Sequence, residues 1–389
     1  MPAELKPRIA VVVTTIGNGQ FLEDYHAAAC AEGVLDRVTM IVIPDRKTPP
    51  LLYARCQEFA AKGLNVICAT MEGQQAFLKR VGFDSLVPFD SDNRRNIGYL
   101  MALATDAPVI ISIDDDNYCR PGERFFAEHS VVGAPRVTLP EVKSTDGWFN
   151  ICSMLECEPS VVYPRGYPYR ERHRASEILT TEATGKVAIN AGLWLQEPDL
   201  DGMTWLVSPT RTHAMIKDSI LLGRHVWSPI NTQNTALHRD VMPSYYFARM
   251  NYPLAGMMSI DRYGDILSGY LSQACVKQMG EFIRVGTPLV DHRRNSHNYL
   301  KDATCEMGCV WLMEDLTAWL TGVSLSGSSY SEKYQHLASQ LDDEAERFTG
   351  FIWTEATRGY VHQLAHCMRK WTEACGVAAS MREAVALAA

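Results

Sequence analysis

Apolar and polar positions alternate in blocks along the first third of the chain. The β-branched run at 9–14 suits a buried strand, the polar Gly17-Asn18-Gly19 that follows suits a turn, and 21–32 carries apolar residues at helical spacing. The cycle then repeats. Residues 38–43 predict a second strand, 51–62 a helix that stops at Gly63, and 64–69 a third strand. Another helix is expected over 94–104, and the wholly apolar 109–113 predicts a central parallel strand that ends at Asp114.

Strand and helix in alternation imply a doubly wound α/β sheet, whose ligands bind beyond the carboxyl ends of the strands. From about Pro121 the pattern becomes mixed, with Gly, Pro and aromatic residues around 163–169, a strand-like 187–195 and another at 283–290. After Lys301 it turns helical, over 305–320, 331–348 and 354–375. The expected organisation is one α/β domain over 1–300 and a helical C-terminal extension over 301–389.

Composition narrows the function. The 389 residues are 47% hydrophobic and 21% charged, ordinary for a globular chain, and the net charge of −8 argues against a general nucleic-acid binder. No apolar run approaches the roughly 20 residues that cross a bilayer, and the N-terminus lacks the apolar core of a secretory signal. With 11 cysteines, an odd number without a disulfide-like spacing, a cytoplasmic location is expected. Cys305 with Cys309, and His362 with His366, have the spacing of metal pairs but lack further ligands, so packing and solvated-face roles are expected for them.

The strongest chemical signal is Ile110-Ile111-Ser112-Ile113-Asp114-Asp115-Asp116, an apolar strand that delivers three carboxylates into a loop. Hard oxygen ligands at a strand end suit Mg²⁺ or Mn²⁺, which keep open positions for phosphate oxygens. Asp114 and Asp116 are the expected ligands, and Asp115 a substrate contact. Thr14 and Thr15 end the first strand and can present hydroxyls to a nucleoside; Asp45 ends the second. Arg165 lies in an exposed-looking Pro-Arg-Gly-Tyr-Pro loop and is expected to meet phosphate or developing charge. Asp265 precedes an apolar helix, where it can cap the helix, bind a sugar hydroxyl or take a proton. Asp201, in an acidic loop flanked by Trp194 and Trp205, is a further substrate-binding candidate; Trp194 is expected in the core.

Arg95-Asn96-Ile97-Gly98 followed by Asp114-Asp115-Asp116 resembles the Arg-Asn-x-Gly helix and Asp-x-Asp strand of GT-A glycosyltransferases, and the resemblance implies a GT-A-like, Rossmann-like nucleotide-sugar domain with Arg95 near the nucleotide and His292, as the late histidine of such enzymes, a third metal ligand. A wider resemblance is to the reversibly glycosylated polypeptides, which include UDP-arabinopyranose mutases. It rests on Val13-Thr14-Thr15-Ile16, Ile43-Pro44-Asp45, Arg165-Gly166-Tyr167-Pro168-Tyr169, Gly192-Leu193-Trp194-Leu195, Pro198-Asp199-x-Asp201, Asn234-x-Ala236-x-x-Arg239-Asp240 and Arg262-Tyr263-x-Asp265. It implies a UDP-sugar substrate, a divalent metal (Mn²⁺ or Mg²⁺), interconversion of pyranose and furanose rings without redox chemistry, and self-glycosylation at Arg165. The chain departs from the family pattern in having Gly264-Asp265 where the family has paired aspartates.

The expected function is therefore a metal-dependent UDP-sugar mutase with Arg165 and Asp265 as its catalytic residues. The alternatives are a glycosyltransferase that moves sugar to a small-molecule or glycan acceptor, with an acceptor pocket around 163–169 and 245–252, and a non-catalytic partner subunit. A homo-oligomer is left open.

Overall fold

The computed structural model describes residues 7–381 apart from 255, 257, 295 and 296. Its first half follows the expected alternation: β1 (Ile9–Thr15), α1 (Phe21–Ala31), β2 (Val38–Pro44), α2 (Leu51–Ala61), β3 (Asn65–Cys68), α3 (Met71–Val81), α4 (Arg95–Ala104) and β4 (Val109–Asp114). The strands pair in parallel in the order β3-β2-β1-β4, so every carboxyl end lies on one edge. Helix α3 was not expected from the pattern. Its ends are nonetheless marked, because the Thr70 hydroxyl accepts from the Gly73 amide at the start and Gly82 turns left-handed at the finish, φ 70°.

Beyond the Asp loop the chain lays down β5 (Asn117–Cys119), α5 (Phe125–His129), β6 (Val137–Ser144), β7 (Leu155–Glu158), β8 (Ile178–Gly185), β9 (Val187–Gln196), α6 (Gly202–Val207), β10 (Arg211–Met215), β11 (Ile220–Leu222) and β12 (Asn234–His238). A short ribbon of β13 (Tyr252–Pro253) and β14 (Ser259–Ile260) precedes α7 (Gly264–Met279) and β15 (Phe282–His292). The sheet continues from β4 as β12-β9-β15-β11-β6-β8. Strand β12 runs antiparallel to both β4 and β9, and β15 returns parallel to β9 and antiparallel to β5. That reversal sets the last residue of β15, His292, opposite Asn117, next to the Asp loop.

Three helices close the chain: α8 (Tyr299–Gly322), α9 (Tyr330–Glu344) and α10 (Glu355–Ser380). Helix α10 lies along α4, with Trp371 fully buried against Phe83 and its indole N–H donating to the Met242 carbonyl at 2.8 Å. The His362 imidazole sits between Asp342 of α9 and Glu346 just beyond it, and Cys309 is buried. All 11 cysteines are free. Among the described residues no helix is long and apolar enough to cross a membrane.

One glycine sets how close α4 comes to the sheet. A Cβ on Gly98 would lie 2.4 Å from Val12 Cγ1 and 3.2 Å from Ile43 Cγ1, inside the contact distance of packed carbons. The close approach places Arg95, three residues earlier, against the ends of β1 and β4. Gly98→Ala is expected to destabilise the fold by about 1–3 kcal/mol through overpacking. Urea unfolding checks this, and an unchanged midpoint would show that the interface has slack.

A carboxylate-lined candidate active site

Strand β4 is fully buried up to Ile113 and emerges at Asp114, whose amide donates to the Gln233 carbonyl at 3.2 Å. Arg95, itself buried, holds this end in place. Its Nη1 donates to the Ser112 hydroxyl at 2.8 Å and the Ile113 carbonyl at 2.7 Å; its Nη2 donates to the Thr14 hydroxyl at 3.1 Å and Asp114 Oδ1 at 2.5 Å. Arg95 and Thr14, both expected to face the nucleotide, are thus engaged in fixing the strand ends. Burial still pushes the Asp114 carboxyl up to about 7, since the pull of Arg95 is offset by the negative charge of Asp116 and Asp265.

Asp115 turns the other way. It accepts from the Thr15 hydroxyl at 2.5 Å, and burial raises its pKa despite that bond. Asp116 faces His292, with Oδ2 to Nε2 at 3.6 Å. Burial works against its ionisation, but the hydrogen bond and charge of His292 prevail and hold the carboxyl below the usual range; reciprocally, Asp116 outweighs burial and raises His292. His292 Nδ1 lies 2.6 Å from the Glu197 carbonyl, which needs a donor there and so leaves Nε2 directed at Asp116.

Among the described residues, no three His, Cys, Asp or Glu side chains are drawn together tightly enough to hold a metal ion. What is present is the Asp116–His292 pair with Asp114 held beside it by Arg95. This donor set fits Mn²⁺ or Mg²⁺, which accept a few protein ligands and fill the rest of their shell with water and phosphate oxygens.

Asp45 closes the other side of the parallel half. Buried at the end of β2, it accepts from the Arg46 amide at 2.7 Å and the Ser91 amide at 3.3 Å, and pairs with Arg94 at 3.8 Å. Arg46 and Arg94 flank the half-exposed Phe89 ring, with guanidinium carbons 4.8 and 4.5 Å from its centroid.

Arg165 is not the exposed loop residue that its flanking proline and glycine led us to expect. It is buried between two carboxylates: Nε and Nη2 donate to Asp199 at 2.8 and 3.0 Å, while Nη1 and Nη2 donate to Asp265 at 3.1 and 2.7 Å. Nη1 also donates to the Arg262 carbonyl, and Asn231 Nδ2 donates to Asp199 at 2.7 Å. Burial would raise the Asp199 carboxyl, but Arg165 overrides it and the pKa falls below its ordinary value. Asp265 is likewise not a helix cap. Tyr263 occupies the cap position of α7, and both Asp265 oxygens turn to Arg165.

Asp201, expected on the substrate, has no exposed surface. Its Oδ1 accepts from the Thr204 amide and hydroxyl at the start of α6, and its Oδ2 accepts from Tyr169 at 3.0 Å and Arg172 at 2.7 Å, so it anchors the Arg165 loop. Trp194 is in the core, as expected, and Trp205 stacks on Tyr299 with ring centroids 5.4 Å apart. Tyr245 and Tyr246, which were to line an acceptor pocket, are fully buried. Sequence reasoning missed Asp199 and Asn231 as partners of Arg165. The only available signal was the Asp199-Leu200-Asp201 repeat, which does not say which aspartate faces in.

The parallel β3-β2-β1-β4 order, with an acid loop at its carboxyl edge and a returning histidine, defines a GT-A-like α/β fold. The description "reversibly glycosylated polypeptide" belongs to the family whose profile matches residues 6–379, and the chain belongs to this family. It is 24% identical to UDP-arabinopyranose mutase 1 of Arabidopsis thaliana over 381 residues, covering 95% of this chain and 92% of the relative. It is 26% identical to probable UDP-arabinopyranose mutase 4 of the same plant over 267 residues, covering 68% of this chain and 66% of the relative. The match to UDP-arabinopyranose mutase 1 of Oryza sativa subsp. japonica spans about half of each, 54% of this chain and 53% of the relative at 24% identity. Among solved structures, glucosyl-3-phosphoglycerate synthase from Mycobacterium tuberculosis in complex with Mn²⁺ and UDP-glucose is 13% identical, with a TM-score of 0.38 over 82% of this chain and 81% of that one.

The clamp on Arg165 predicts a stability effect. Arg165→Ala leaves Asp199 and Asp265 buried without their cation, a change of about 3–5 kcal/mol against folding. Adding Asp199→Asn and Asp265→Asn is expected to restore a large part of that loss. Denaturant midpoints of the single and triple variants check it, and equal midpoints for the two would remove the electrostatic account.

Proposed function

We propose that this chain is a UDP-sugar enzyme that breaks and re-forms an anomeric bond, and that within this class it is a mutase exchanging the pyranose and furanose forms of its UDP-sugar. The observation that carries the mutase reading is the clamp on Arg165. Both oxygens of Asp265 and both of Asp199 accept from Arg165, which leaves neither as a free base for the hydroxyl of an external acceptor. A mutase needs no such acceptor. The similarity of nearly the whole chain to proteins named UDP-arabinopyranose mutase supports the same reading.

In this proposal Asp116 and His292, with Asp114 beside them, would hold Mn²⁺ or Mg²⁺. When bound, the ion supplies charge neutralisation to the departing diphosphate. Asp45 and Asp115 at the ends of the parallel strands face the nucleoside. The Arg165, Asp199 and Asp265 cluster carries a net negative charge next to the sugar, which stabilises the positive charge that develops at C1 as its bond to UDP breaks. A hydroxyl of the same sugar then closes on C1 and gives up its proton. The original ring bond breaks and its oxygen takes a proton, and the diphosphate re-forms its bond to C1. Nothing is oxidised or reduced, and the proton given up by the attacking hydroxyl is balanced by the one taken up at the released ring oxygen, while Asp265 acts through its charge within the clamp. A cytoplasmic location accords with the free cysteines.

Incubation with a panel of UDP-sugars and Mn²⁺, followed by chromatography, is expected to yield a ring isomer without any added acceptor. EDTA should abolish the conversion, and Asp116→Asn should slow it by at least about two orders of magnitude. Arg165→Lys should be slower than wild type by about tenfold or more, because lysine cannot engage two carboxylates through a planar fork. Sugar transfer to an added acceptor with no ring isomer would replace the mutase by a transferase. No consumption of any UDP-sugar would point to a non-catalytic subunit.

A further inference from the structure

The cations around the cleft are almost all committed to protein partners. Arg95 holds the β1 and β4 ends, Arg165 is spent on Asp199 and Asp265, Arg172 on Asp201, and Arg262 on Asp302 and Glu306. Arg293 is largely exposed and lies over the Tyr118 ring at 4.6 Å. Arg294 differs. Its Nη1 is buried without a hydrogen-bond partner, and among the described residues no carboxylate pairs with it.

Aromatic stacking holds this guanidinium in place. It lies 5.1 Å from the Trp205 centroid and 5.8 Å from that of Tyr299; the two rings are parallel within 6°, and His297 extends the stack at 7° to Tyr299. Such stacking orients a guanidinium while leaving its in-plane N–H groups free to donate. The residue follows His292 by two positions, and its charge acts on Asp116 and His292 on one side and Asp199 on the other. Those groups already have partners, His292 for Asp116 and Arg165 with Asn231 for Asp199. An unspent cation, set against two aromatic rings, thus stands within electrostatic reach of both the Asp116–His292 pair and Asp199 of the Arg165 cluster.

We propose that Arg294 binds the diphosphate of the nucleotide-sugar and stays on the nucleoside diphosphate after the anomeric bond breaks. This rests on the UDP-sugar reading above and assigns within it the residue that Arg165 had been expected to be. A diphosphate must bridge metal and sugar, and Arg294 stands two residues beyond the expected metal ligand His292 with its buried Nη1 unpaired. The charge-assisted hydrogen bonds to phosphate oxygens satisfy the buried Nη1.

Calorimetric titration with uridine and UDP in the presence of Mn²⁺, for wild type, Arg294→Ala and Arg294→Lys, tests the assignment. Arg294→Ala is expected to weaken UDP binding roughly 10- to 100-fold and leave uridine binding unchanged. Arg294→Lys should recover part of the loss, and it carries the test if the alanine variant fails to fold: UDP weakened with uridine unchanged supports the assignment there too. Unchanged UDP affinity in the folded variants, or an equal loss for uridine and UDP, overturns it. Failure of the wild type to bind UDP at all overturns the nucleotide-sugar reading together with it, whereas wild-type binding with an indifferent Arg294 overturns this assignment alone.

Discussion

Five carboxylates, Asp114, Asp115, Asp116, Asp199 and Asp265, share one cleft, and their mutual repulsion is the constraint around which the site is built. Burying like charges is expensive unless each finds a cation or donors. The protein answers with Arg95 on Asp114, the Thr15 hydroxyl on Asp115, His292 on Asp116, and Arg165 between Asp199 and Asp265. At the strand end burial prevails over the pull of Arg95, and the Asp114 carboxyl stays raised.

The same compensation ties the C-terminal helices to the chemistry. Arg262 adopts a left-handed backbone, φ 59°, uncommon for a side chain of its size, and its carbonyl accepts from Arg165. Its own guanidinium pairs with Asp302 and Glu306 on α8, and Glu306 also accepts from the Gly202 amide at the start of α6. Tyr299, the first residue of α8, completes the stack under Arg294. The helices therefore hold the strained turn and the aromatic shelf from behind, while α10 seals α4 with Trp371.

Much of the first half was legible because its signals are local. Strands β1, β2 and β4 are continuous apolar runs, α4 and the C-terminal helices have helical periodicity, and the Asp run stands at a strand end where charge can only mean solvent or ligand. The polar α3 was harder to see, since its buried face is only Gln74, Phe77, Leu78 and Val81. Short strands such as β5, β11 and β12 carry too few residues for a period to register, and their existence depends on the pairing partners they find.

By itself the sequence determined the α/β alternation, the position of the carboxylates at the end of β4 and the family resemblance. All of these follow from neighbours in the chain or from fixed spacing along one element. Only the tertiary structure decided the partners of the charges. Asp199 faces Arg165 whereas Asp201, two residues on, caps α6; Arg165 turns inward though its loop reads as exposed; Arg294 keeps free donors while Arg165 and Arg262 do not. Ion pairing depends on side chains 34 and 100 residues apart meeting in one cleft, and a distance of that kind has no trace in local periodicity.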